Sequence, residues 1–128
     1  MIDKRLLKIA SNTKFYGLKN NYTYKTNLKN SICGDKISIE ISIKNNTIQE
    51  LRYETEACIF CQASASTLAN IAKNTNLGDL KKNLSKYLNF SKKVPKKFNN
   101  LTYLLKDKYM NRKDCILLPF KAFYKAIK

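Results

Sequence analysis

One nine-residue stretch constrains the fold more than any other part of this sequence. In "KISIEISIK", residues 36 to 44, isoleucines occupy positions 37, 39, 41 and 43, and polar residues occupy the positions between them. A strict period of two places alternate side chains on opposite faces of a β-strand. The stretch therefore predicts a strand that buries its four isoleucines on one face.

The neighbouring residues predict the rest of a small antiparallel sheet. Asn45 and Asn46 are a turn signal, and "TIQELRYET", residues 47 to 55, alternates again with a slip that indicates a bulge. Residues 22 to 28, "YTYKTNL", are rich in aromatic and β-branched types and are a candidate edge strand. Three strands are therefore expected, two of them in a hairpin.

Helical patterns lie on both sides of these strands. Residues 3 to 11 have the spacing of a short amphipathic helix, and apolar or small residues recur at three and four from Cys58 to near Asn74. A basic loop broken by Pro95 interrupts the later helical segments, which are residues 75 to 88, 98 to 107 and 114 to 127.

This order of elements predicts the α+β class. We expect one domain over residues 1–128, with a three-stranded antiparallel sheet, helices packed on one face, an N-terminal helix and a C-terminal helix. The apolar runs are far shorter than the roughly 18 residues of a membrane span, and the N-terminus lacks a signal sequence. We therefore expect no membrane partner and a cytoplasmic location, or an organellar matrix equivalent to it.

The formal net charge of +16 raises the question of a nucleic-acid partner. Only three of the 25 basic residues are arginine, whereas bidentate phosphate and base contacts favour the arginine fork. The lysines are spread along the whole chain and no binding motif accompanies them. No specific nucleic acid is therefore expected, and a basic nucleic-acid-binding module is the remoter alternative.

The absence of histidine excludes Ser-His-Asp and Cys-His catalysis and leaves four cysteines as the main reactive groups. Cys33 and Asp35 flank Gly34 just before the first hairpin strand, and Cys58 follows the second hairpin strand at the start of a helix. In an antiparallel hairpin, the start of the first strand and the end of the second strand lie at the same end of the sheet. Cys33 and Cys58 can therefore meet.

Cys115 lies near the start of the last helix, which could cover that end of the sheet. The thiolates of Cys33, Cys58 and Cys115 with the carboxylate of Asp35 would form a tetrahedral set suited to zinc or to the irons of a small cluster. The alternative is that scattered cysteines behave as small buried hydrophobic residues.

Cys61 is three residues from Cys58 in "CIFC", which raises the possibility of a two-sulfur motif. A thioredoxin-like pair follows a βαβ pattern rather than a hairpin, and a zinc ribbon needs a second C-x-x-C. Cys61 is therefore expected to be a packing residue one turn along the helix.

Three segments together resemble the U-type iron–sulfur cluster assembly scaffolds, the family of IscU, SufU and the N-terminal domain of NifU. They are "CGDKISIEISI", "CIFCQASAS" and "CILLPFKAF", and the resemblance extends over most of the chain. The family fold is α+β with a three-stranded antiparallel sheet, which agrees with the order of elements above.

The resemblance implies a scaffold and not an enzyme. Cys33, Cys58 and Cys115 would be ligands, Asp35 would tune cluster release, and Cys33 would accept sulfur from a cysteine desulfurase. The protein, a monomer or weak dimer, would assemble a transient 2Fe-2S cluster and pass it to iron–sulfur acceptor proteins.

Asp114 occupies the place where housekeeping scaffolds usually have a histidine, and "YMNRKDC" replaces their short chaperone signal. The long segment before Cys115 is more similar to the SufU branch, whose members resemble zinc-bound sulfur acceptors as much as cluster scaffolds. The alternative function is therefore a zinc-bound sulfur acceptor, a sulfurtransferase partner of a cysteine desulfurase. The high positive charge is interpreted either as compositional drift towards lysine and asparagine or as a surface complementary to an acidic desulfurase.

Overall fold

The computed structural model describes residues 3–30, 34–88, 99–104 and 107–127. Cys33 and the predicted basic loop around Pro95 lie outside the described residues. Helix α1 spans Lys4–Ser11 and buries Leu6 and Ile9, as the amphipathic pattern predicted.

The sheet contains four antiparallel strands in the order β1-β2-β3-β4: β1 Tyr24–Lys29, β2 Lys36–Lys44, β3 Thr47–Glu56 and β4 Thr75–Asn76. The α+β class and the edge position of β1 are confirmed, but the prediction of three strands was wrong. The fourth strand has only two residues, which is too short for a periodic pattern. It forms because Asn74, at φ 60°, turns the chain back and donates its N–H to the carbonyl of Ile48.

The predicted β2–β3 hairpin is present, and so is the bulge that the slip in the alternation indicated. Ser42 faces Glu50 whereas Ile43 faces Ile48, so Gln49 is the extra residue in β3. The β2 isoleucines at positions 37, 39 and 41 are buried in the main core. Ile43 is only half-buried, so the prediction of four buried isoleucines is confirmed for three of them. The bulge in β3 allows Ile48 and Leu51, three residues apart, both to be buried.

Two of the described helices pack against the three longer strands of the sheet. Helix α2 (Ile59–Ala72) packs on β3 and on α1, and helix α5 (Lys113–Ala126) packs on β1, β2 and α2. The other helical elements are α3 Leu77–Leu88, α4 Asn99–Leu104 and a 3₁₀ helix Asp107–Arg112. Buried residues of α2 and α5 join the β2 isoleucines in one core.

Small residues of α2 allow α5 to approach it closely. Ala63, Ser64 and Ala65 are buried, and the Ser64 hydroxyl donates a 2.5 Å hydrogen bond to the backbone carbonyl of Ile116. Pro119 lies inside α5 rather than in its first turn. Among the described helices, none combines the length and apolar composition that a membrane span requires.

The polar face of the sheet is covered near its centre. Glu40 projects from β2 but is only 1% exposed, because its Oε1 accepts hydrogen bonds from the backbone N–H groups of Lys19 (2.9 Å) and Asn20 (3.1 Å). Lys25 of β1 places its ammonium 3.8 Å from the other carboxylate oxygen. The segment between α1 and β1 is thereby fixed across the sheet.

We expect the two-residue turn of the hairpin to respond differently to alanine and glycine. Asn45 and Asn46 both have positive φ, 53° and 60°, the pattern of a type I′ turn. Asn46→Ala should lower the free energy of unfolding by about 1 kcal/mol, because alanine pays a steric cost at positive φ. Asn46→Gly is the matched control and should be at least as stable as wild type in urea denaturation. An alanine variant as stable as the glycine variant would contradict this account.

Candidate metal centre

Three of the four predicted ligand residues meet at one end of the sheet. One ligand atom each from Asp35, Cys58 and Cys115 lies within 4.8 Å of the others. Asp35 immediately precedes β2 and Cys58 lies two residues after β3. Because Lys36 pairs with Glu56, the two strands bring these residues to the same end.

The connection between β1 and β2 fixes the position of Asp35. The N–H of Asn30 donates to the Asp35 carbonyl at 2.7 Å, and the N–H of Gly34 donates to the Asn30 carbonyl at 2.8 Å. Gly34 has φ 78°, a conformation that glycine adopts without steric cost. This local network holds the Asp35 carboxylate where it is 7% exposed.

Cys58 is the N-cap residue of α2, with an extended backbone. Its Sγ donates a hydrogen bond to Asp35 Oδ2 at 3.5 Å. The amino end of a helix stabilises negative charge. Cys58 is half-buried, and its sulfur, as a thiolate, can face the same cation as the Asp35 carboxylate.

Cys115 comes from the opposite end of the chain, near the start of α5, and is 5% exposed. The adjacent residue Ile116 is tied to α2 through the hydrogen bond from Ser64. Asp114 is exposed on the other side of Cys115 and is not a member of the ligand group. The α2–α5 contact thus carries Cys115 to the end of the sheet.

Cys61 lies in the core and not in the candidate centre. It is fully buried, one turn into α2, and is absent from the group formed by Asp35, Cys58 and Cys115. None of the three described cysteines is in a disulfide. The "CIFC" pair is therefore divided between a candidate ligand and a packing residue.

A cavity of about 650 Å³ lies elsewhere, between α1, α2 and α4. It contains no cysteine, and its polar lining residues are Arg5, Lys8, Asn12, Ser66, Thr67, Asn70 and Asn100. The candidate metal centre is thus separate from this cavity. The candidate metal centre is a compact set of sulfur and oxygen donors, which suits a metal ion.

Comparison with known sequences identifies relatives over nearly the whole chain. The family model described as "NifU-like N terminal domain" matches residues 3–116. The chain is 26% identical over 135 residues to "Iron-sulfur cluster assembly scaffold protein IscU" of Thermotoga maritima, with 100% of this chain and 93% of that protein covered. It is 30% identical over 130 residues to an "Uncharacterized protein" of Borreliella burgdorferi, with 93% and 84% covered.

Solved structures share the fold. A NifU-like protein (N-terminal) from Brucella abortus superposes with a TM-score of 0.81 at 22% identity, covering 98% of this chain and 90% of that one. A putative iron–sulfur cluster assembly scaffold protein for the SUF system from Fervidobacterium islandicum gives a TM-score of 0.78 at 22% identity, covering 99% and 96%. The α+β architecture is therefore common to all three proteins.

Proposed function

This chain belongs to the NifU-like N-terminal domain family of iron–sulfur cluster assembly scaffolds, and we propose that it assembles a labile 2Fe-2S cluster on Cys33, Asp35, Cys58 and Cys115. The single observation that carries the proposal is the convergence of Asp35, Cys58 and Cys115 within 4.8 Å. The finished cluster is cargo, which the protein passes to iron–sulfur acceptor proteins.

Cys33 is proposed as the fourth ligand because of its covalent distance from Asp35. Two peptide units separate the two residues, so their Cα atoms are at most about 7 Å apart. Gly34 between them is exposed, and a Cβ placed on it would meet nothing within 4 Å. This open glycine supports a role for Cys33 as the thiol that approaches a partner.

We propose that the partner is a cysteine desulfurase carrying a persulfide. The Cys33 thiolate attacks the outer sulfur, the S–S bond of the desulfurase breaks, and its cysteine leaves as a thiolate. Cys33 then carries the persulfide. Two electrons from a reductant convert each transferred sulfur to sulfide, which combines with iron. A reducing compartment such as the cytoplasm keeps the cysteines available for this chemistry.

Asp35 is proposed to make the bound cluster transferable. Thiolates are the usual ligands of iron–sulfur clusters, and a carboxylate is a harder, less strongly matched donor. One iron held by Asp35 would therefore be easier to release than one held only by sulfur. The hydrogen bond between Asp35 and Cys58 supports this role, because the carboxylate that releases iron can accept a hydrogen bond from the Cys58 thiol instead.

A zinc-bound sulfur acceptor is the second candidate, favoured by how closely the ligand atoms lie. Sulfur ligands around one zinc at about 2.3 Å are separated by roughly 3.8 Å in a tetrahedral site. The spread of 4.8 Å or less among Asp35, Cys58 and Cys115 suits such a single ion. In this alternative zinc holds the Cys33 thiolate until the desulfurase displaces it.

Cysteine substitutions test the ligand set. Cys33→Ser, Cys58→Ser and Cys115→Ser should each weaken metal binding by roughly tenfold or more, because each removes a thiolate donor. Cys61→Ser is the matched control and should retain the wild-type metal content. The measurement is iron, sulfide and zinc analysis after anaerobic purification and after reconstitution with a desulfurase.

The same samples separate the two candidate functions. A visible-absorbing 2Fe-2S chromophore that moves to an apo acceptor protein supports the scaffold. Stoichiometric zinc, persulfide on Cys33 and no chromophore support the zinc-bound sulfur acceptor instead. Loss of metal in Cys61→Ser with retention in Cys115→Ser would contradict the ligand set in either case.

The proposed role of Asp35 predicts a longer cluster lifetime when its carboxylate is removed. Asp35→Ala should slow cluster transfer to an apo acceptor several-fold, because the weakly matched oxygen donor is gone. Asp79→Ala removes an exposed carboxylate in α3 and should transfer at the wild-type rate. Transfer kinetics followed by visible circular dichroism give the comparison, and a shorter lifetime in Asp35→Ala would count against the role.

A further inference from the structure

The carboxylate of Asp3 connects the N-terminal helix to the segment that precedes the last helix. Its Oδ1 accepts a 2.8 Å hydrogen bond from the N–H of Leu6 and so caps α1. Its Oδ2 accepts hydrogen bonds from the hydroxyl of Tyr109, at 2.6 Å, and from the hydroxyl of Tyr103. One side chain thus fixes helix α1, helix α4 and the 3₁₀ helix to one another.

The two tyrosines are held inside the protein. Tyr109 is fully buried, Tyr103 is 8% exposed, and their ring centroids are 6.1 Å apart in an edge-to-face arrangement. The guanidinium of Arg5 lies 4.2 Å from the centroid of the Tyr103 ring. Hydrogen bonds to a charged acceptor are stronger than neutral ones, and burial limits competition from water. We call Asp3, Tyr103 and Tyr109 the tyrosine latch.

Contacts through Phe60 connect the tyrosine latch to the segments that carry Cys58 and Cys115. The Tyr109 ring lies 5.1 Å from the ring of Phe60, which is two residues after Cys58. The guanidinium of Arg112, three residues before Cys115, lies 5.7 Å from the Phe60 centroid. The latch therefore reaches the start of α2 and the residues that lead into α5.

The segment that leads to Cys115 receives limited support from its own backbone. Residues 107–112 form a 3₁₀ helix, whose hydrogen-bond geometry is poorer than that of an α-helix. Side-chain contacts such as those of the latch therefore add to what holds this segment in place.

We propose that Asp3 is a positioning residue for Cys115, acting through Tyr109 and Tyr103. The latch keeps the 3₁₀ helix packed against Phe60, and Cys115 consequently stays buried beside Asp35 and Cys58. The consequence for metal retention rests on the proposed function, because the role of Cys115 as a ligand is itself proposed. The positioning of the Cys115 thiol can be measured without any metal.

The test uses the full-length, metal-free protein and substitutions that remove one interaction at a time. Asp3→Asn retains a good N-cap for α1 but removes the charge that accepts from the tyrosines. Tyr109→Phe removes only one hydroxyl. Tyr124→Phe is the matched control, since its hydroxyl donates to the Lys81 carbonyl (3.2 Å), between α5 and α3 and away from the latch.

The measurement is the rate at which iodoacetamide modifies each cysteine under native conditions, resolved by mass spectrometry. In Asp3→Asn and Tyr109→Phe, the ratio of the Cys115 rate to the Cys61 rate should rise about tenfold or more, because local opening exposes Cys115 while fully buried Cys61 stays in the core. The ratio should be unchanged in Tyr124→Phe.

A uniform loss of stability would accelerate the modification of Cys61 and Cys115 alike and leave the ratio of their rates unchanged. A purely structural role of Asp3 therefore predicts no change in this ratio. Equal acceleration of Cys61 and Cys115, or no acceleration of either, would overturn the proposal. Release of bound Zn²⁺ to a chelator should accelerate together with the Cys115 ratio, and an unchanged release rate would overturn the role of Asp3 at the metal centre. Wild-type protein that binds no Zn²⁺ would refute zinc binding at this site, and the alkylation ratio would still decide the latch.

Discussion

The antiparallel pairing of β2 with β3 is the interaction on which both the core and the candidate metal centre depend. Its register places Lys36 opposite Glu56, which brings Asp35 and Cys58 to the same end of the sheet. The same register directs the β2 isoleucines into the core. A shift by one residue would expose them and move Asp35 away from Cys58, so burial of apolar surface fixes the geometry of the polar centre.

Features encoded by local patterns could be predicted from the sequence, and features made by distant segments could not. The hairpin and the helix after Cys58 each have a periodic signal, and the bulge is marked by a slip in the alternation of residues 47 to 55. The two-residue strand β4 has none, because its existence depends on the turn at Asn74 after α2. Glu40 occupies a position predicted to be polar and outward, yet a segment 20 residues away covers it.

The residues of the candidate centre also differ in whether local or distant contacts place them. Asp35 and Cys58 could be placed together from hairpin geometry alone, whereas Cys115 required the packing of α5 on α2, which local periodicity does not specify. The tyrosine latch had no sequence signal, since Asp3 and Tyr103 are 100 residues apart. Hydrogen-bonding side chains follow no periodicity, and their partners emerge only when the helices are packed.

The carboxylates explain how a chain of net charge +16 retains a defined architecture. With nine acidic residues, the chain uses several of them as acceptors for specific N–H, O–H or S–H donors: Asp3 in the latch, Asp35 at the centre, and Glu40 and Glu54 on the backbone of the segment before β1. Lysine can accumulate on exposed positions at little cost in stability. At Asp3 and Glu40 it cannot, because donors removed from solvent would lose their partner. The lysines whose side chains the structure describes are exposed, so their charge lies on the surface, whereas acidic residues such as Asp3 and Glu40 make specific internal connections.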